Sequence, residues 1–317
     1  MYNYYRKLSF KKGVYDYLKN IHIMCFMIDL HMHTTYSDGS FSLKEVLQKC
    51  EDKHLSVISI TDHNVVGSYF EMENFNVKDY FSGHIVVGVE LNTYAAGVPI
   101  ELLGYNFDYN KLSKVLEDTY LKPEERNRIE FERLVQKCKD YGIKLDDDIL
   151  NQFDPASFAS KVILNNLMHY EENQSKINER SWGSIRDFYR DYMSNPDAPL
   201  FVDCLDLLPD MNTVINMVKD AGGLVFVPHI YEYRVNSPKV IEALLANGRI
   251  DGFECYYPTF SEEQNKEVRR IVKENNLFMS GGSDFHGAMK PDIEVGTGKN
   301  NLRIPESIQE NWAKYLY

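Results

Sequence analysis

The tightest constraint on this chain is a recurring placement: short apolar runs rich in β-branched residues, most of them closing on a histidine or a carboxylate. The runs fall at about Met27–His31, Ser56–Thr61, Ile85–Glu90, Ile100–Tyr105, Leu224–Val227, Gly252–Tyr256 and Leu277–Ser280. Each is followed by a polar or glycine-bearing turn and then a helix-like stretch, the pattern of repeated β-α units. The runs are continuous rather than alternating, as a parallel sheet covered by helices requires. Helices are predicted at Ser42–Lys53, with Leu43, Val46, Leu47 and Cys50 at helical spacing, at Met211–Ala221 before Gly222-Gly223, and at Glu262–Asn275. The fold class is α/β.

Between Tyr105 and about Leu200 the rhythm changes to charged helical sequence, with helices predicted at Pro123–Tyr141, Ala159–Tyr170 and Ser184–Met193. The expected organisation is therefore an N-terminal extension (1–26), a first β-α part (27–105), a mainly helical insertion forming a cap (106–200) and a second β-α part (201–317). Residues 1–26 lack the long apolar core and small-residue cleavage site of a signal peptide. No stretch approaches the roughly 20 apolar residues of a membrane span. Five cysteines (Cys25, Cys50, Cys138, Cys204, Cys255) are scattered and odd in number, which argues against a disulfide framework and fits a reducing cytoplasm. A formal net charge of -12 gives no general attraction to duplex nucleic acid. A phosphate-bearing substrate would need a local positive field, which bound divalent cations could supply. The oligomeric state is left open.

Side chains two apart on a strand share a face, so His31 and His33 can enter one site together. Asp38 follows in a Ser37-Asp38-Gly39 turn; Asp62-His63, Glu90 and His229 close later runs; Asp284 and His286 follow Gly281-Gly282. In a barrel of β-α units those ends converge on one face. A single histidine is most often a surface or satisfied core residue. Five of nine at strand ends, with three carboxylates beside them, point instead to a site for two or three ions. Imidazole mixed with carboxylate suits manganese, zinc or iron. Such ions lower the pKa of a shared water and bind phosphate oxygens as charge develops, so hydroxide attack on phosphorus is the expected reaction. His229 or His286 is the candidate to protonate the leaving oxygen.

These residues resemble the polymerase and histidinol phosphatase (PHP) superfamily. The resemblance rests on Asp29-Leu30-His31-Met32-His33-Thr34, Ser37-Asp38-Gly39, Ile60-Thr61-Asp62-His63-Asn64, Gly88-Val89-Glu90, Pro228-His229 and Gly281-Gly282-Ser283-Asp284-Phe285-His286-Gly287. With Gly252-Phe253-Glu254-Cys255-Tyr256-Tyr257-Pro258, it is similar to the branch of stand-alone phosphoesterases acting on nucleotides. It implies a distorted (β/α)7 TIM-like barrel and three ions: one among His31, His33, Glu90 and Asp284, a second among Asp38, His63 and His286, a third between Glu90 and His229. Glu254 is either a ligand, a partner orienting an imidazole, or only a cap on its strand. In that branch cap arginines grip a second phosphate, which nominates Arg126 and Arg128, with Arg234 as a further candidate; a solvated helix face is the plainer reading of such charges.

The chain departs from the family pattern at Glu101, where relatives often carry histidine, at Ser160-Lys161-Val162 in place of Arg-x-His, and at Pro228-His229-Ile230 in place of Ala-His-Pro. The implied substrate is a small phosphorylated molecule of nucleotide type, a 3′,5′-bisphosphate or a short 5′-phosphorylated oligonucleotide. The competing readings are a histidinol-phosphate phosphatase, a metal-dependent amide or lactone hydrolase, and a noncatalytic metal-binding protein.

Overall fold

The computed structural model describes residues 27–154, 159–194 and 197–317; the expected N-terminal extension lies outside them. The described chain is α/β and divides into two compact units. One runs up to Leu116 and resumes over Asp210–Tyr317, and the other is Glu117–Pro209.

In the first unit, β1 (Met27–Asp29), β2 (Leu55–Ile58) and β3 (His84–Ile85) form a parallel sheet in that order. A second sheet follows the sequence order β4 (Gly88–Ala95), β5 (Val98–Tyr105), β6 (Leu224–Val227), β7 (Gly252–Tyr256) and β8 (Phe278–Gly281). Its first two pairings are antiparallel and its last two parallel. This corrects two expectations. Among the described residues the seven expected parallel strands are eight strands in two sheets, whose ladders do not close a barrel, and the run Ile85–Glu90 is split between the sheets. The cause is local. Ala96 and Gly97 adopt φ of 50° and 70°, the left-handed pair of a two-residue hairpin turn. That turn folds β5 back along β4 in a register running from Ala95 opposite Val98 to Gly88 opposite Tyr105.

Nine α-helices occur among the described residues: α1 (Leu43–Asp52), α2 (Gly67–Met72), α3 (Tyr109–Thr119), α4 (Pro123–Asp140), α5 (Ala159–Leu167), α6 (Ile185–Tyr192), α7 (Met211–Asp220), α8 (Ser237–Asn247) and α9 (Glu262–Glu274). Their starts are written in the sequence. Ser42 with Glu45 and Ser261 with Gln264 form capping boxes at α1 and α9, and the Asp210 carboxylate accepts from the first turn of α7. The predicted apolar face of α1, Leu43, Val46, Leu47 and Cys50, is the buried one. None of the described helices is long and apolar enough to cross a membrane.

Ile28, Leu30, Val57, Val86, Leu103, Tyr105, Phe226, Ile304 and Trp312 pack as one core in the first unit. Each such side chain contributes about 1.5–3 kcal/mol by leaving water. The Tyr105 hydroxyl donates to the Leu30 carbonyl at 2.7 Å, tying β5 to the segment after β1. The second unit has its own core, from Phe131, Leu134 and Cys138 of α4, Ile163 and Leu167 of α5, and Phe188 and Tyr192 of α6.

Candidate metal centre

Backbone hydrogen bonds beyond the strand ends set the site. The Asp284 N–H donates to the His31 carbonyl (2.8 Å), His33 to Phe285 (2.9 Å), Thr61 to Met32 (2.8 Å) and Asn64 to Glu90 (2.8 Å). Single bridges pair Met32 with Phe285 and His63 with Glu90. Gly282 is required by close approach, because a Cβ there would fall 2.2 Å from the His31 Cβ and 2.6 Å from its nitrogen. His229 and Asp284 hold left-handed backbone, with φ of 27° and 56°, a cost of about 1–3 kcal/mol each at sites that depend on such geometry. The Glu254 carboxylate steadies the first of these by accepting the His229 N–H at 2.9 Å.

Every histidine and carboxylate nominated from strand ends arrives in one cluster. Donor atoms of His31, His33, Glu90 and Asp284 lie within 4.8 Å of one another, as do those of His33, Asp38, His63 and His286, and those of Glu90, Glu101 and His229. Glu90 is the hub. Its Oε2 is 3.0 Å from His31 Nε2, 3.2 Å from His33 Nε2 and 3.5 Å from His63 Nδ1, while its Oε1 is 2.8 Å from His229 Nε2. Asp284 Oδ1 sits 3.4 Å from His33 Nε2. Asp38 Oδ1 sits 3.2 Å from His286 Nε2, and the His33 and His286 rings stack at 4.0 Å.

The electrostatics are those of a place built for positive charge. Burial opposes charge on His33 and His229, yet the surrounding carboxylates outweigh it and lift both to about 9. Burial likewise opposes ionisation of Glu90 and Asp284, but the imidazoles hold both well below the usual carboxylate range. His63 is lowered to about 4, chiefly by burial. Neither ring nitrogen of His33 makes a hydrogen bond although both are buried, and the same holds for His63 Nδ1. Buried nitrogens close to carboxylates but without hydrogen-bond geometry are what convergent ligands present to a shared cation, so the residues fit divalent metal.

The other nominated residues are placed as follows. Glu254 is fully buried behind His31, its Oε1 3.2 Å from His31 Nδ1, the nitrogen pointing away from Glu90. Cys255, on the opposite face, is buried and free. Both nitrogens of His286 are engaged, Nδ1 by the Asp284 carbonyl at 2.9 Å and Nε2 by Asp38. Arg126 and Arg128 belong to α4 in the second unit, where Arg126 pairs with Glu130 at 2.7 Å. Arg234 is exposed and does not line the cavity of about 470 Å³ beside the cluster. That cavity is walled by Glu101, His229, Tyr233, Tyr257, Asp284 and Lys290 among others.

Three residues there escaped the sequence reading of the site. Tyr257 donates to Asp284 Oδ2 at 2.7 Å, and Lys290 pairs with the same carboxylate. Glu101, noted only as a departure, has its Oε2 3.4 Å from His229 Nε2, and burial with the neighbouring Glu90 raises its pKa. The signal for Glu101 was the Ala96-Gly97 turn: a hairpin there puts Asn92 opposite Glu101, on the face that carries Glu90.

Asp62 holds the Asp38 loop. Its buried carboxylate accepts from the Thr34 N–H (2.7 Å), the Thr34 hydroxyl (2.8 Å) and the Ser37 hydroxyl (2.9 Å). Asp62→Ala strands these donors, and the expected destabilisation is about 3 kcal/mol, read by denaturant unfolding. An unchanged midpoint would contradict this.

Comparison with known proteins gives a consistent picture. Residues 29–191 match the family described as PHP domain. The 5′-3′ exoribonuclease of Haemophilus influenzae is 26% identical over 293 residues, covering 90% of this chain and 98% of the relative. The 3′,5′-nucleoside bisphosphate phosphatase of Chromobacterium violaceum is 21% identical, covering 85% and 90%. The crystal structure of a Bifidobacterium adolescentis protein described as a metal-dependent phosphoesterase superposes with a TM-score of 0.61 at 21% identity, covering 89% of this chain and 94% of that one.

Proposed function

The chain belongs to the PHP domain family, and from that premise we propose that it is a metal-dependent phosphoesterase hydrolysing phosphate monoesters of nucleotide-type substrates, 3′,5′-bisphosphates or short 5′-phosphorylated oligonucleotides. The observation that carries this is the convergence of three imidazole and carboxylate groups, two of them sharing Glu90 and two sharing His33, beside an open cavity. His31, His33, Glu90 and Asp284 would hold one ion, His33, Asp38, His63 and His286 a second, and Glu90, Glu101 and His229 a third. Divalent cations there supply water activation near neutral pH and offset the charge of phosphate oxygens. The single bridges between Met32 and Phe285 and between His63 and Glu90 support reading the two sheets as parts of one distorted, open TIM-like barrel of eight strands.

The protein's own residues set the rest. Glu254 fixes the His31 ring and, by accepting the His229 N–H, the backbone that carries the second imidazole. Tyr257 and Lys290 fix the outer oxygen of Asp284, leaving Oδ1 toward His31 and His33. The Lys290 ammonium on the cavity wall offers charge to an anionic substrate.

The test is an assay of manganese-loaded protein against p-nitrophenyl phosphate, adenosine 3′,5′-bisphosphate, a 5′-phosphorylated dinucleotide, histidinol phosphate and lactones. Phosphate release is expected from the nucleotides, abolished by chelation. Turnover of lactones alone would overturn the assignment.

A further inference from the structure

The three donor groups differ in chemistry in a way that one residue creates. His33, His63 and His286 supply nitrogen to one group with Asp38 as its carboxylate; His31 and His33 balance Glu90 and Asp284 in another. The third inverts this ratio, with two carboxylates, Glu90 and Glu101, against the single imidazole of His229. Carboxylate oxygen is the harder donor and suits manganese or magnesium, whereas imidazole suits zinc or iron. Glu101 and His229 line the open cavity, so an ion between them would keep positions free for water or substrate oxygen. Retained waters are what a magnesium-like ion demands. Position is set firmly: the Glu101 N–H donates to the Tyr233 hydroxyl at 2.9 Å, and β5 is held along its length by β4.

We propose that Glu101 makes the Glu90–Glu101–His229 position a hard, exchangeable cation site, taking manganese or magnesium from the medium, while the imidazole-rich positions retain their ions. This rests on the reading of the three groups as ion sites and adds which of them discriminates, and through which side chain.

The test is manganese binding to chelator-stripped full-length protein, followed by the electron paramagnetic resonance signal of free manganese, with magnesium and zinc as competitors. In the wild type, excess magnesium should release one class of bound manganese and leave the remainder. Glu101→His should raise the zinc-over-manganese preference of that class by about tenfold or more, the scale on which changes around a metal shift affinity. Glu101→Gln, nearly isosteric and still an oxygen donor, should weaken manganese at that class only, which guards against a folding defect in the first variant. Manganese uptake with the same competition profile in both variants as in the wild type would overturn the inference and leave the phosphoesterase reading standing. Absence of manganese uptake by the wild type would overturn both.

Discussion

His33→Ala is expected to lower phosphate-ester hydrolysis by about a thousandfold or more, equivalent to about 4 kcal/mol at the barrier. Among the described residues, no other imidazole belongs to two donor groups. The Nε2 of His33 faces Glu90 and Asp284, and its Nδ1 faces Asp38 at 3.7 Å. Removing the ring therefore empties a corner of two positions at once, and the neighbouring rings are already committed: His286 has Asp38 at 3.2 Å, and His63 has Glu90 at 3.5 Å and Asp38 at 3.8 Å. The fold should survive, because the backbone bond from His33 to Phe285 is independent of the ring. Circular dichroism with a turnover assay makes the check, and wild-type turnover by a folded variant would refute the role.

Gly282→Ala should damage stability and activity together. The added methyl carbon would meet the Cβ, nitrogen and Cα of His31 at 2.2, 2.6 and 2.8 Å. Two of those atoms are backbone, so the β1 extension or the β8 end must shift. Overpacking of this kind costs about 1–3 kcal/mol or more. The displaced element carries His31 and sits beside Asp284, and misplacement by about 1 Å at a reacting centre costs roughly a hundredfold in rate. Denaturant unfolding and kcat on p-nitrophenyl phosphate report the two losses. A stable variant with native turnover would show that the close approach is relaxed without consequence.

Much of the cluster was legible because strand geometry is a two-residue repeat. An apolar run closing on His31-x-His33 states both the strand and the face, and Glu90, His229 and Asp284 repeat the arrangement. Helix starts were equally plain where a cap and a periodic apolar face coincide, as at Ser42 and Asp210. The pairing between strands was not legible. Continuous apolar runs mark burial on both faces but carry no direction, so the β4–β5 hairpin read as two parallel strands, and Glu101 read as a lost histidine rather than a carboxylate facing His229. Lys290 and Tyr257 were missed for a different reason. They reach Asp284 from loops after β7 and β8, where no periodicity announces which side chains turn inward.

The proposed ion cluster is tested most directly by anomalous scattering from crystals of the manganese-loaded protein. Peaks are expected at ligand distance from the imidazoles and carboxylates surrounding Glu90, with one of them between Glu90, Glu101 and His229. A manganese-saturated crystal with no peak among these side chains would contradict it.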